Sequence, residues 1–482
     1  RTHYIKIHTL TKRPYVNYYT SKSYLRQKLK TVMNLFSFTE FAISTYEKNK
    51  NKNQNQYNLT NMENNNYQNK RGSTFSRWLF SMSCVALCLF ASTNASAQFS
   101  VTTNGGSGLA ATYPSLADAI TALNGATITA PVVITCPAGT ETSPAGGYSI
   151  TAVGSSTNTI TIQGNGSANS IITAPNPAGT SGALNDAIFK LVGADWVTID
   201  GFSMLENAAN TTTTAASNNM VEWGVALLYA TTTNGAQNNT ISNNIIDLNR
   251  TYQNTFGIYS NSTHSATAVS TSTTATTSAG GNSGLIIIAN SITDVNNGIV
   301  VVGPTAAADH NDVITIGGSV GNANTITNYG TTGTFSNYAN VSGTVNGILV
   351  RNSKNFTISH NTVSSSNGGV TAGTLNGIQV PASSSTPTGT FTNSISNNSI
   401  SLRSAVASGA MTGISYPSGS ASTTSTLNVD NNDFNTWGHT VTSSGTITFI
   451  TITSTNLNTS ISSNTFTNLS VNTTGSVTFI SN

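Results

Sequence analysis

The chain has 482 residues and 7% of them are charged, against roughly 25% in an average soluble protein. Gly, Ser, Thr and Asn fill the gap, which excludes a coiled coil or helical bundle built on Ala, Glu, Lys and Leu and a charged disordered tail. The net charge of +3 averages two unlike segments: residues 1–97 are strongly basic, whereas residues 98–482 hold thirteen acidic and five basic side chains, a balance that argues against a nucleic-acid partner.

Residues 1–61 are biased to Asn, Lys and Tyr, and Met62 follows them. The expected start of translation is Met62, with 1–61 upstream sequence read in frame. Within 62–97, Lys70, Arg71 and Arg77 precede an apolar stretch from Trp78 to Ala91, and Ala95-Ser96-Ala97 comes next. A basic flank, a short apolar core and a small-residue site are the pattern of a secretory signal peptide. The expected location is therefore secreted or on the outer cell surface. Neither Cys84 nor Cys88 sits in a good lipobox, and both leave with the signal, so Cys136 has no cysteine left to pair with. No run of about 18 apolar residues is present, so no transmembrane span is expected.

From residue 98 the reading is a single domain to 482. Tyr113 to Ile120 reads as a short amphipathic helix, followed by strand-like Val132-Val133-Ile134, Tyr148-Ser149-Ile150, Thr159-Ile160-Thr161-Ile162 and Trp196-Val197-Thr198-Ile199. A recurring phrase then takes over: an apolar residue, Asn three later, and an apolar residue two after that. Its Asn positions are Asn244, Asn290, Asn361, Asn398, Asn432 and Asn464. They recur at about 32–46 residues with one double gap, the spacing of a solenoid whose coils are interrupted by loops of different length. Asn suits a tight turn, because it tolerates left-handed backbone angles and its amide bonds neighbouring backbone. Stacked coils would place these amides in a structural ladder. A second phrase, Gly then Ile, alternates with the first at Gly257, Gly298, Gly347, Gly377 and Gly413. Residues 207–219 and 260–283 are Thr, Ser, Ala, Asn and Gly runs that read as exposed loops.

These residues resemble the right-handed parallel β-helix of the pectate-lyase-like superfamily, over roughly 113–482. Gly193-Ala194-Asp195-Trp196-Val197-Thr198-Ile199-Asp200-Gly201 looks like a phrase of large secreted, adhesin-like surface proteins of Gram-negative bacteria. The resemblance implies an all-β solenoid of about ten coils with a short N-terminal capping helix. The chain stops after strand-like Val477 to Ile480 with no cap in view, so further coils or a sorting domain are expected beyond it.

The superfamily contains polysaccharide lyases and glycoside hydrolases, so the resemblance admits a catalytic set. The basic residues Lys190, Arg250, Arg351, Lys354 and Arg403 fall at different offsets and are expected in structural or solvated roles. Inverting glycosidases need two carboxylates roughly 6.5–9.5 Å apart; Asp195 with Asp200 and Asp430 with Asp433 are candidates, although turn chemistry explains Asp200, Asp430 and Asp433. The polygalacturonase-type motifs are absent, with Gly438-His439 followed by Thr440. In Asp309-His310-Asn311-Asp312, Asp309 and Asp312 are candidates to hold Ca²⁺ through oxygen ligands; no other cofactor is implied. His264, His360 and His439 are scattered. Outward hydroxyl pairs such as Thr240/Ser242, Thr357/Ser359, Ser394/Ser396 and Ser460/Ser462 suit a flat face for a glycan or conceivably ice, or serve β-propensity alone. The expectation is a secreted or cell-surface protein with an adhesive, carbohydrate-binding or structural role, contacting an extracellular glycan or a host or cell surface. The alternative is a lyase or hydrolase acting on an extracellular polysaccharide.

Overall fold

The computed structural model describes residues 99–482, apart from 178, 180–184, 214–216, 266–274, 331–343, 366–373, 388, 418–424 and 455–457. The start at Met62, the signal peptide and parts of both loop readings lie outside the described residues. No described helix is long and apolar enough to cross a membrane.

The chain winds into a right-handed parallel β-helix of ten coils, each giving one strand to each of three long sheets. The fourth coil, for example, is Thr240–Ser242 in the first sheet, Ile245–Asp247 in the second and Phe256–Ser265 in the third. The first sheet carries two further strands at its N-terminal end: Val101–Thr103 runs antiparallel to Val132–Thr135, and Thr112–Tyr113 runs antiparallel to Val101–Thr103. They close an edge that would otherwise offer bare backbone groups.

The helix α1 (Leu116–Gly125) covers the same end and buries Leu116, Ala119, Ile120 and Leu123. It starts three residues later than the sequence reading, because Tyr113 is taken up by a strand and Ser115 is the N-cap. The Ser115 hydroxyl accepts the Asp118 N–H at 3.1 Å and donates to the Asp118 carboxylate at 2.7 Å, which satisfies a free helix-end donor.

Register explains the core. In the first sheet Ile162, Ile199, Ile241, Ile287, Ile316, Ile358 and Ile395 pair across successive coils, and all are fully buried. The second sheet answers with Ile172, Met204, Ile246, Ile292, Ile326, Val363 and Ile400. Full burial of each such side chain contributes roughly 1.5–3 kcal/mol. Strand alternation turns Thr and Ser at the flanking positions outward.

The Gly-Ile phrase has a spatial cause. A Cβ on Gly298 would lie 2.6 Å from Ile326 Cγ2 and 2.4 Å from the Gly347 carbonyl oxygen; on Gly347 it would lie 2.3 Å from Val363 Cγ1. These glycines stand in a column where the third sheet closes onto aliphatic side chains of the second, and no side chain fits there.

Candidate functional site

The turn between the first and second sheets is two residues long in most coils. Its first residue takes the left-handed conformation: Asn243 (φ 56), Ala289 (φ 55), His360 (φ 63), Asn397 (φ 57), Asn431 (φ 59) and Ser463 (φ 56). The second residue is the asparagine of the recurring phrase. Each such Asn gives both its backbone N–H and its Nδ2 to the Oδ1 of the next one. The Nδ2 links run Asn244 to Asn290 (3.1 Å), Asn290 to Asn324 (3.0 Å), Asn324 to Asn361 (2.9 Å), Asn361 to Asn398 (3.0 Å), Asn398 to Asn432 (3.0 Å) and Asn432 to Asn464 (3.0 Å). Each Nδ2 also donates to a carbonyl of the preceding coil, as Asn361 does to Ile316 at 2.9 Å. The side chains from Asn244 to Asn432 are buried, so the ladder satisfies polar groups that water does not reach.

Asn324 is a member the sequence reading missed. In its coil the left-handed Gly317 and Gly318 open a longer turn, and Asn324 stands eight residues after Ile316 instead of three. The second half of the phrase survives, since Ile326 follows two residues later, and Asn324 divides the double gap into 34 and 37 residues. A second run of amides was also missed. Asn346 donates to Asn297 Oδ1 at 2.9 Å through its backbone, and Asn376 Nδ2 donates to Asn346 Oδ1 at 3.0 Å. All three immediately precede glycines of the column.

The candidate carboxylates are engaged within the chain. Asp195 Oδ1 accepts the Gln237 N–H at 2.7 Å, and burial raises its pKa. Asp200 Oδ1 accepts Ser242 Oγ and Asn243 Nδ2, both at 2.6 Å. Asp430 Oδ1 accepts the hydroxyls of Ser460 (2.9 Å) and Ser462 (2.8 Å), and Asp433 Oδ1 accepts Thr465 Oγ1 at 2.7 Å. Asp309 ends a short 3₁₀ turn, Ala307–Asp309. Asp312 lies in the two-residue strand Asn311–Asp312 beside Ser353–Lys354, where its Oδ1 accepts Asn355 Nδ2 at 2.7 Å. Among the described residues no three His, Cys, Asp or Glu side chains gather as a metal site would need. His310 is buried, and burial pushes its pKa down to about 4.

The cations separate. Arg250 donates to the carbonyls of Gly330 (2.9 Å) and Tyr329 (3.3 Å), and Arg351 to that of Ala382 (3.1 Å). Arg403 is exposed. Lys190 alone among the five is buried. It lies on the third-sheet strand Ala187–Val192, with Asp186 just before that strand.

Around Lys190 the fold gathers a cluster that sequence spacing did not disclose, because its members come from successive coils. Glu222 is fully buried; its Oε1 accepts the Tyr252 hydroxyl at 2.7 Å and its Oε2 accepts the Asp186 N–H at 2.9 Å. Burial, and then the negative charge of Asp186, push the Glu222 carboxyl far above the usual carboxylate range. Burial also raises Asp186 and lowers Lys190, and each charge partly restores the other. Nearby, Glu206 closes the neck of the 207–221 loop. Its Oε1 accepts the Asn207 N–H (2.9 Å) and Asn210 Nδ2 (2.7 Å), and its Oε2 accepts the Val221 N–H (2.9 Å). Asn210 and Asn218 are buried, so the described ends of this loop fold against the solenoid instead of projecting from it. At the far end of the other predicted loop, Asn282 is likewise buried and donates to Leu227 O and Ser260 Oγ, both at 3.0 Å.

Two outer faces remain. On the first sheet, several hydroxyls are used internally: Ser242, Ser460 and Ser462 donate to aspartates, Ser394 and Ser396 lie 3.2 Å apart, and Ile286 and Ile288 break the columns. On the second sheet, Ser291/Thr293, Thr325/Thr327 and Thr362/Ser364 stand in register on adjacent coils. Among the described residues these six hydroxyls have no hydrogen-bond partner, and Thr325 and Thr362 are exposed. The pattern could have been found from Thr-Ile-Thr and Thr-Val-Ser, each directly after a ladder asparagine.

No protein-family model and no curated protein matches the chain. Two solved structures do. The A-module of the mannuronan C-5 epimerase AlgE6 of Azotobacter vinelandii is 13% identical, with 75% of this chain and 94% of that one covered and a TM-score of 0.32. The catalytic unit of a thermostable GH87 α-1,3-glucanase of Streptomyces thermodiastaticus strain HF3-3 is 14% identical, with 74% and 65% covered and a TM-score of 0.20. Likeness at these scores assigns neither family nor activity.

Proposed function

We propose that this protein is exported and, free or displayed on the cell surface, uses its β-helix to bind or present to an extracellular glycan or a cell surface, without cleaving it. The observation that carries the reading is the outer face of the second sheet. It carries a row of six hydroxyls, those of Thr325 and Thr362 exposed and the other four half-buried, with no hydrogen-bond partner among the described residues and no charged side chain within the three strand segments that bear them. Hydroxyls held at a coil spacing of about 4.8 Å suit a neutral, hydroxyl-rich polymer. The carboxylates singled out for hydrolysis, Asp195, Asp200, Asp430 and Asp433, are instead engaged by side chains or backbone of the same chain.

A second reading, acid–base action on a polysaccharide, is favoured by the Asp186, Lys190, Glu222 and Tyr252 cluster, since perturbed titrating groups concentrate at catalytic sites. One experiment separates the two. Residues 98–482 are incubated with neutral and acidic polysaccharides, with and without Ca²⁺, and both retention and chain shortening are measured. Retention of a neutral polymer without products is the expected result. Products that vanish in Glu222→Gln would replace the first reading with the second. Retention that requires Ca²⁺ and is lost in Asp309→Asn or Asp312→Asn would assign Ca²⁺ to that loop.

A further inference from the structure

The sequence contains eight Asn-Gly pairs, and the fold treats them unequally. Seven fall among the described residues; Asn367-Gly368 lies outside them. In an Asn-Gly pair the glycine backbone nitrogen can attack the Asn Cγ, because no side chain shields that nitrogen. The reaction needs a free glycine N–H and an asparagine side chain able to turn onto it.

Six of the seven pairs are held against this. Asn104 Oδ1 accepts the N–H groups of Gly106 (3.0 Å) and Val133 (3.1 Å), while its Nδ2 donates to Pro131 O at 3.0 Å. Asn124, in the last turn of α1, bonds Thr151 N and Ser149 O, both at 2.8 Å. The nitrogen of Gly235, after Asn234, donates to Ala279 O at 2.8 Å. Asn297, Asn346 and Asn376 are buried in the amide run of the third sheet.

Asn165-Gly166 differs on every count. It lies in the turn between Ile160–Gln163 and Ser170–Thr173, at the corner that later coils close with the asparagine ladder. Both residues are exposed. The backbone of Asn165 is fixed, its N–H donating to Ser170 Oγ at 2.8 Å and its carbonyl accepting Asn169 Nδ2 at 2.9 Å. Among the described residues its side-chain amide and the Gly166 N–H have no hydrogen-bond partner. Gly166 is left-handed (φ 84) and has open space around it, the nearest atom to a Cβ there being Asn169 Nδ2 at 3.9 Å.

We infer that Asn165 is a site of spontaneous succinimide formation and deamidation in the folded protein. The deprotonated Gly166 nitrogen attacks Asn165 Cγ, a C–N bond closes a five-membered imide, and the side-chain nitrogen leaves as ammonia. Water then opens the imide at either carbonyl, giving aspartate or isoaspartate at this position. No oxidant, metal or enzyme enters. The product places a new negative charge on the corner turn of the second coil.

The test is peptide mapping after incubation of the chain in mildly alkaline buffer, with a parallel sample in denaturant. In the native sample Asn165 is expected to convert at least about tenfold faster than the other six described pairs, because those must first open locally. In denaturant the difference collapses. Asn165→Gln abolishes the native signal. The inference is overturned if Asn165 stays unmodified in the native sample while the denatured one reacts, or if Asn104 or Asn234 reacts as fast in the native protein.

Discussion

In six coils from the fourth onward the corner between the first and second sheets is built the same way, whereas the crossings into the third sheet are built differently each time. At the first corner two residues suffice, one left-handed and one asparagine, and the polar groups of each turn are satisfied by the turn above. At the crossings the connections range from Asp294–Asn296 between Ser291–Thr293 and Asn297–Val302 to the long 206–222 segment. There, buried polar groups are satisfied by single solutions such as the Glu206 neck and the Glu222–Tyr252 pair. Repetition spreads a structural requirement over many equivalent residues; a unique loop concentrates it on one. The two regions should therefore fail differently when mutated.

The largest effect is expected in the middle of the ladder. Asn361→Ala leaves the buried N–H of Asn324 and one of its two Nδ2 hydrogens without an acceptor, and takes a donor from Ile316 O. Each stranded buried group costs roughly 1–3 kcal/mol, so a loss of about 3–5 kcal/mol in denaturant unfolding is expected. Asn464→Ala, at the last rung and part-buried, should cost about 1 kcal/mol. Equal losses at the two positions would show that the ladder is not cooperative along its length. Next comes the glycine column: Gly347→Ala drives a methyl toward Val363 Cγ1 and the Gly377 carbonyl, and overpacking of this kind costs about 1–3 kcal/mol.

The same contrast explains what was legible in the sequence. The fold, the ladder and the glycine column were readable because each coil repeats them. Asn324 escaped because its turn is five residues longer than those of its neighbours, although it returns to the same rung in space. Glu222, Glu206 and Tyr252 carry no periodic signal. They meet Asp186 and Lys190 only when 206–222 and 248–255 fold onto the third sheet. Lys190, one of five basic residues expected in structural or solvated roles, is buried there.

The acid cluster gives a pH prediction that ladder amides, which do not titrate, cannot imitate. Asp186, Glu206 and Glu222 all have carboxyl pKa values raised chiefly by burial. A raised pKa in the folded state contributes stability that is complete below the usual carboxylate range and is lost as pH rises through the folded value. Lys190, lowered chiefly by burial, works in the opposite sense, its contribution being lost as pH falls through its folded pKa. With three carboxyls against one amine, stability should decline from mildly acid pH toward neutrality, and Glu222→Gln should flatten that decline. Tyr252→Phe removes the donor to Glu222 Oε1 and should cost about 1–3 kcal/mol. Urea midpoints measured across the pH range would check both.

The smallest stability effect, and the largest functional one, is expected on the outer face of the second sheet. Thr325 and Thr362 are exposed, and their hydroxyls bond nothing among the described residues. Changing both to Ala should move stability by no more than about 0.5 kcal/mol per site. If this face binds a neutral glycan, the same double variant should lose most retention on the polymer that holds the parent chain. The equivalent change at Ser460 and Ser462 of the first sheet, whose hydroxyls already serve Asp430, should do the reverse and cost stability before binding. Binding that follows the first-sheet pair instead would mean that hydroxyls committed to intramolecular bonds are nevertheless the ones the ligand reads. Unpartnered hydroxyls would then not mark the binding face.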